Sequence, residues 1–152
     1  MNAVSTSIHQ SLTLARNMNS EPVSLEVGQI APDFVAELTN GDEIILSEIL
    51  SSGEKVILYF YPKDDTPGCT EQACKFRDDL HKLKALGANV VGISLDNATS
   101  HAKFARKYNL PFPLLADNDA KTAAQYNSLL NLVIVKFAKR NTFLIDPNGK
   151  IA

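Results

Sequence analysis

The sequence predicts an α/β fold, a central sheet flanked by helices. Val56-Ile57-Leu58-Tyr59-Phe60 is a continuous apolar run without alternation, the pattern of a strand covered on both faces. It is followed by a stretch whose apolar residues recur at helical spacing, and then by a second central strand from Asn89 to Leu95. Strands alternating with helices imply stacked α/β layers.

The elements follow in order. Gly28 to Pro32 punctuates the start of the domain. Phe34–Leu38 and Glu43–Leu46 read as short strands around Thr39-Asn40-Gly41-Asp42, and Asn-Gly is a strong turn signal, so an N-terminal β-hairpin is expected. Ser47 is placed to cap a short helical turn ending before Ser51-Ser52-Gly53. After the Val56–Phe60 strand, a loop with Pro62, Pro67 and Gly68 leads into a helix from about Cys69 to Leu86. Its residues Ala73, Phe76, Leu80 and Leu83 form one buried stripe. Cys69 continues that stripe, and Gly87 is a stop signal. Ser100 is placed to cap a helix through Tyr108, ended by Asn109-Leu110-Pro111. Phe112–Ala116 is a short extended piece. Asp117 or Asp119 can cap a helix starting near Ala120. Tyr126–Lys139 fits either a helix or an apolar loop-strand. Asn141–Asp146 is a strand and Pro147-Asn148-Gly149-Lys150 a turn. Only Ile151-Ala152 follow it, and a hairpin turn with no returning strand leaves unpaired backbone groups. The expectation is therefore a domain lacking a final strand and a terminal helix.

A chain of 152 residues is enough for one domain with a sizeable core. A hydrophobic fraction of 45% and a charged fraction of 21% are those of an ordinary soluble globular protein. The net charge of -2 provides no broad basic field for nucleic acid. No apolar run approaches the roughly 20 residues of a membrane span. Two cysteines are too few to staple a secreted scaffold and fit a reducing compartment. A cytoplasmic location is expected, or an organelle such as a plastid if residues 1–24 are a transit peptide. Met1–Ser20 is rich in Ser, Asn and Thr, with one Arg and no acidic residue. Residues 1–24 read as a flexible N-terminal extension and residues 25–152 as the domain.

The chemistry concentrates at Cys69 and Cys74. A thiol where a loop becomes a helix meets unpaired backbone N–H groups and the positive end of the macrodipole. Such an environment favours the thiolate, which is the nucleophile. Five helical residues rise about 7.5 Å and rotate roughly 140° net, which separates the two Cα atoms by ~8.7 Å. A disulfide needs a Cα separation under about 7 Å. The pair can join only if the first turn or more of the helix unwinds. Three other readings stand beside a catalytic pair. Both cysteines can be small core hydrophobes. Zinc binding would need a second ligand pair, and His9, His81 and His101 are scattered. A Cys-x-x-Cys oxidoreductase motif is absent.

Thr66 can hydrogen-bond a thiolate or a bound oxygen, or can serve the loop and cap alone. Pro62 and Pro67 stiffen the loop and can shield the sulfur. Arg140, just before the last strand, would stabilise negative charge if it lay near Cys69; a lone Arg is otherwise a solvated charge. Lys63, Asp64 and Asp65 read as solvated loop residues.

The run from Tyr59-Phe60-Tyr61-Pro62 through Cys74 and on to Asp78 closely resembles the peroxiredoxin Q family, also called bacterioferritin comigratory proteins. Its Pro-x-x-x-Thr-x-x-Cys core stands as Pro62, Thr66 and Cys69, and Arg-x-Thr-Phe-Leu-Ile-Asp runs from Arg140 to Asp146. Leu25 to Phe34 is similar to the family's opening segment. The resemblance implies a thioredoxin-like fold with a central mixed sheet. It implies an atypical 2-Cys peroxiredoxin: a thiol-specific peroxidase for hydrogen peroxide and organic hydroperoxides, with no metal and no cofactor. Cys69 would be peroxidatic and Cys74 resolving, through an intramolecular disulfide reduced by thioredoxin or a similar dithiol protein. Thr66 and Arg140 would orient and polarise the peroxide, Pro62 would shield the sulfur, and the chain would be a monomer. The chain departs from the family in its longer N-terminal extension, in the missing C-terminal strand and helix, and in Leu129–Lys139. Two further readings are a redox-regulated binding module and a purely structural domain of the same fold.

Overall fold

The computed structural model describes residues 25–38 and 41–152. The expectations for residues 1–24 and for Thr39-Asn40 lie outside these. The described chain opens with a two-stranded hairpin, β1 (Val35–Glu37) and β2 (Glu43–Ile45), paired Val35 to Ile45. Gly41 in its turn sits at φ 88, a conformation that favours glycine. Helix α1 (Leu46–Ser51) follows at once. Its opening N–H groups are met from a distance rather than by Ser47: the Asp33 carboxylate accepts from the Ser47 N–H at 3.0 Å.

The sheet has strands in the order β5 (Leu114–Ala116), β4 (Ala88–Ser94), β3 (Lys55–Phe60), β8 (Thr142–Ile145). β3 and β5 run parallel to β4, while β8 runs antiparallel to β3, so the sheet is mixed as expected. The period-2 alternation of β3 feeds two layers. Val56, Leu58 and Phe60 join a core with Phe34, Leu46, Leu50, Ala123, Tyr126 and Ile145. Tyr59 and Tyr61 join a second core with Cys69, Ala73, Leu80, Phe104 and Phe112. The second core holds helices α2 (Pro67–Ala85) and α3 (Ala98–Tyr108) against the sheet. A five-residue helix, α4 (Lys121–Gln125), stands on the first.

Most of the helix boundaries follow their local signals. Gly87 takes φ 75 just beyond α2, and Asn109 takes φ 52 at the C-cap of α3. The N-cap of α3 is Asn97, whose side chain accepts from the Ser100 N–H at 2.8 Å. Ser100 therefore lies inside the helix and turns its hydroxyl elsewhere. Asp117 and Asp119 both serve the start of α4. Asp117 accepts from Thr122 and Ala123 N–H at 3.1 and 2.7 Å, and Asp119 from Lys121 at 3.1 Å. Burial pushes the Asp117 carboxyl up from its ordinary range, against those two N–H donors.

The ambiguous stretch after Tyr126 is a hairpin, β6 (Leu129–Asn131) with β7 (Lys136–Ala138). Its tip exposes Leu132, Val133 and Ile134. At the C-terminal turn, the Asp146 carboxylate accepts from the N–H groups of Asn148 and Lys150 at 2.9 and 3.0 Å. Ile151 then folds back, 6% exposed, and bridges Ile145. Its N–H donates to Gln29 carbonyl at 2.8 Å and its carbonyl accepts from Gly28 at 2.7 Å. Residues 28–31 thus cover the backbone of residues that sequence reasoning left unpaired.

Gly92, in the middle of β4, has no room for a side chain. A Cβ there would lie 2.9 Å from Leu114 Cδ2 and 2.9 Å from the Tyr59 Cζ and hydroxyl. Gly92→Ala is expected to destabilise the fold by about 1–3 kcal/mol, the cost of overpacking a tight core. A urea unfolding midpoint lowered at unchanged slope is the measurement that checks it.

Candidate active site

α2 begins two residues earlier than the sequence suggested. Thr66 is its N-cap, in extended backbone at φ -93 and ψ 155, and Pro67 its first residue. Pro fits there because that N–H has no helical partner and its φ is already helical. Cys69 is thus the third residue of the helix, still within the turn whose N–H groups lack intrahelical acceptors.

The sulfur is covered. Cys69 is 1% exposed, packed in the core of Tyr59, Tyr61 and Ala73. Among the described residues, the one charged group that reaches it is Arg140, whose Nη2 donates to Cys69 Sγ at 3.2 Å. Arg140 is itself exposed, so the guanidinium closes the sulfur off from solvent. Its other arm is fixed: Nη1 donates to Gln72 Oε1 at 2.7 Å. Gln72 lies three residues beyond Cys69 on the same helical face. Sequence reasoning missed it, although that spacing from the cysteine was the available signal. Gly68 completes the fit, because a Cβ there would stand 3.2 Å from Arg140 Nη2.

Topology brings Arg140 to this place. β8 is antiparallel to β3, so the chain entering β8 passes the C-terminal end of β3, where the loop to α2 starts. The Phe60 N–H donates to Asn141 carbonyl at 2.8 Å and fixes that crossing.

The other predicted residues arrange around this centre. Cys74 is free and half-buried on the same unbroken helix. Pro62 is half-buried in the loop. Thr66 turns its hydroxyl to donate to Lys63 carbonyl at 3.0 Å, a loop-closing bond. Tyr59 stacks on Phe76 with ring centroids 4.7 Å apart. Its hydroxyl is buried and, among the described residues, has no hydrogen-bond partner. Burial first, and then its neighbours Asp64, Cys69 and Cys74, hold this phenol neutral.

One expectation for the loop fails. Asp64 is not solvated but 7% exposed. Its carboxylate accepts from Tyr61 hydroxyl at 2.6 Å and Ser100 hydroxyl at 2.7 Å, and faces His101 Nδ1 at 2.7 Å. His101 is fully buried, and its Nε2 faces Leu115 carbonyl at 3.0 Å. Burial outweighs the exposure expected of a loop aspartate because donors from the end of β3 and from α3 converge on it. Asp65 stays exposed, paired to Lys107 at 2.8 Å. Hydrogen bonds from Lys107 and Tyr108 hold its carboxyl below the usual range. Asp64, Asp96 and His101 each bring a possible metal-ligand atom within 4.8 Å of the others. Those carboxylate and ring atoms already have protein partners. A surface cleft of about 360 Å³ lined by Glu37, Asp117, Asp119 and Lys121 holds neither cysteine.

Comparison with known proteins agrees with this geometry. A family model described as the AhpC/TSA family matches residues 27–152. A putative peroxiredoxin bcp of Coxiella burnetii is 46% identical over 134 residues, 86% of this chain and 87% of that protein. Chloroplastic peroxiredoxin Q of Oryza sativa subsp. japonica is 43% identical over 124 residues, 82% of this chain and 56% of that longer protein. The crystal structure of peroxidoxin BcpB from Mycobacterium tuberculosis matches with a TM-score of 0.78 at 38% identity, covering 84% of this chain and 82% of that one. The chain belongs to the AhpC/TSA family.

Its relatives place it in the peroxiredoxin Q, or Bcp, branch, as the motifs around Cys69 and Arg140 implied. The fold is that of thioredoxin-like peroxiredoxins, and the protein is a peroxidase, an oxidoreductase acting through thiols. In this peroxiredoxin Gln72 holds the guanidinium on the sulfur. Gln72→Ala is expected to slow peroxide reduction by about 3- to 10-fold, the net size of one ordinary lost hydrogen bond. Stopped-flow oxidation at limiting peroxide measures the rate, and an unchanged melting temperature shows that the fold is intact.

Proposed function

We propose that Cys69 is the peroxidatic cysteine and Cys74 the resolving one. The contact between Arg140 Nη2 and Cys69 Sγ at 3.2 Å, at the N-terminal turn of α2, is the observation that carries the assignment. The Cys69 thiolate attacks one peroxide oxygen; an S–O bond forms as the O–O bond breaks. The leaving hydroxide or alkoxide takes up a proton, giving water or an alcohol, and Cys69 becomes a sulfenic acid. Negative charge grows on the departing oxygen beside Arg140 and the free N–H groups of the first helical turn, which stabilise it. Cys69 is nearly sealed, so peroxide enters as the exposed Arg140 side chain parts from it. Small peroxides, hydrogen peroxide and compact organic hydroperoxides, suit that route.

The Cys74 thiolate then attacks the sulfenic sulfur; the S–O bond breaks as the disulfide forms, and the departing hydroxide takes up a proton to give water. The intact α2 holds the two Cα atoms roughly 8.7 Å apart by helix geometry, so its first turns unwind for this step. Two electrons from a dithiol reductant, here proposed to be thioredoxin, restore both thiols. Thr66 and Pro62 complete the peroxide site; Thr66 re-aims its hydroxyl from Lys63 to a bound peroxide oxygen, and Pro62 screens the sulfur from water. We further propose that the enzyme acts as a monomer and in the cytoplasm, with a plastid as the alternative if residues 1–24 are a targeting segment. Among the described residues no helix is long and apolar enough to cross a membrane.

The test is a mass spectrum after one equivalent of peroxide. Loss of two hydrogens localised to a peptide joining Cys69 and Cys74 is expected. Cys69→Ser should abolish peroxide-dependent oxidation of thioredoxin. Cys74→Ser should still form one sulfenic acid per chain without steady turnover. Full activity in Cys69→Ser would refute the assignment, and stoichiometric oxidation of the wild type without turnover would favour a redox-switched binding module.

A further inference from the structure

The buried cluster around Asp64 stands five residues before Cys69 and plays no part in the chemistry above. It joins the loop that carries Cys69 to three separate elements. The loop leaves β3 with Tyr61, whose N–H donates to Ile93 carbonyl on β4 at 3.0 Å. The Asp64 N–H donates to Asp96 at 2.8 Å, and Asp96 also accepts from Ser94 hydroxyl at 2.7 Å. The Asp64 carboxylate takes Tyr61, Ser100 and His101, and His101 reaches Leu115 on β5. Immediately after this cluster Asp65 adopts φ 57, a left-handed conformation that non-glycine residues rarely enter. Strain of this kind persists only where the surroundings over-determine the backbone.

Hydrogen-bond accounting shows why the cluster is rigid. The Leu115 carbonyl only accepts, so His101 Nε2 bears a proton. One further proton lies between His101 Nδ1 and the Asp64 carboxylate, and both oxygens of the carboxylate are engaged. Every member has a partner, and removing one strands a buried polar group.

We propose that Asp64 and His101 are positioning residues: they clamp residues 61–65 so that Cys69 is presented to Arg140 for the peroxide step, while the chain beyond Thr66 remains free to unwind for the disulfide step. This rests on the reading of Cys69 as peroxidatic and Cys74 as resolving. The clamp ends where α2 begins. It therefore acts on one half of the cycle, and a residue needed merely for folding would not separate the halves.

The experiment measures the two steps apart, in the full chain, by rapid quench and mass spectrometry. Sulfenic acid at Cys69 is counted in a Cys74→Ser background, and disulfide formation with Cys74 present. Asp64→Ala is expected to slow sulfenic acid formation about tenfold or more, as loss of a buried charged partner would, with disulfide formation equal to wild type or faster. Asp64→Asn keeps an acceptor for Tyr61 and offers a donor to His101, so it should recover most of the rate. Ser100→Ala removes one donor and should slow the first step about 2- to 5-fold, the size of one neutral hydrogen bond; it decides the question should Asp64→Ala not fold. Lys107→Ala, which removes the exposed tie to Asp65 and the ammonium over the Tyr108 ring, should leave both steps within about twofold. Equal slowing of both steps, an unchanged first step in Asp64→Ala and Ser100→Ala, or an Asp64→Asn variant as slow as Asp64→Ala would each overturn the proposal. Absence of any oxidation at Cys69 in the wild type would instead remove the peroxidatic assignment, and the clamp with it.

Discussion

The antiparallel pairing of β8 with β3 is the constraint on which the site depends. β3 is one of the two inner strands of the sheet that separates the two cores. It points Tyr59 and Tyr61 toward α2 and α3, and releases the loop to Cys69 at its C-terminal end. Were β8 parallel, its first residues would lie at the opposite end of β3. Because it runs back, Arg140 arrives at the same end as Cys69, 71 positions away in the chain. The contact between Arg140 and Cys69 is made by strand direction, and neither residue needs an unusual backbone to reach the other.

Much of this was legible in the chain. The uninterrupted apolar runs of β3 and β4 announce strands buried on both faces, and they are. The stripe from Cys69 through Ala73 to Leu80 faces the core. Gly87 and Asn109 end their helices in left-handed conformations, which glycine tolerates for want of a Cβ and asparagine more readily than most residues. The hairpin of β6 and β7 was not legible, because a short apolar run carries no periodicity that separates strand from helix. Asp64 and His101 were missed for a different reason. Composition assigns an aspartate in a Pro/Gly loop to solvent, and only the packing of α3 against that loop, 37 positions on, reveals the partner.

Arg140 and Gln72 show how a site can be half readable. The motif around Arg140 signalled that it mattered, and strand topology then delivered it to the sulfur. The residue that steadies it lies inside the run around Cys69, where nothing in the sequence marks it out from its neighbours. Its value comes from helical spacing, which puts position 72 above position 69. Gly68 serves the same contact by absence, since any Cβ there would crowd the guanidinium.

The length of α2 has a consequence of its own. The helix runs on to Ala85, well past Cys74, and its second half is gripped by Leu80 and Leu83. Unwinding up to Cys74 therefore sacrifices the opening turns and leaves the remainder docked on the sheet. In the proposed cycle, redox state is recorded as backbone order at one end of a single rod. A reductant that meets the disulfide meets it on loosened chain, hung from an otherwise unchanged scaffold.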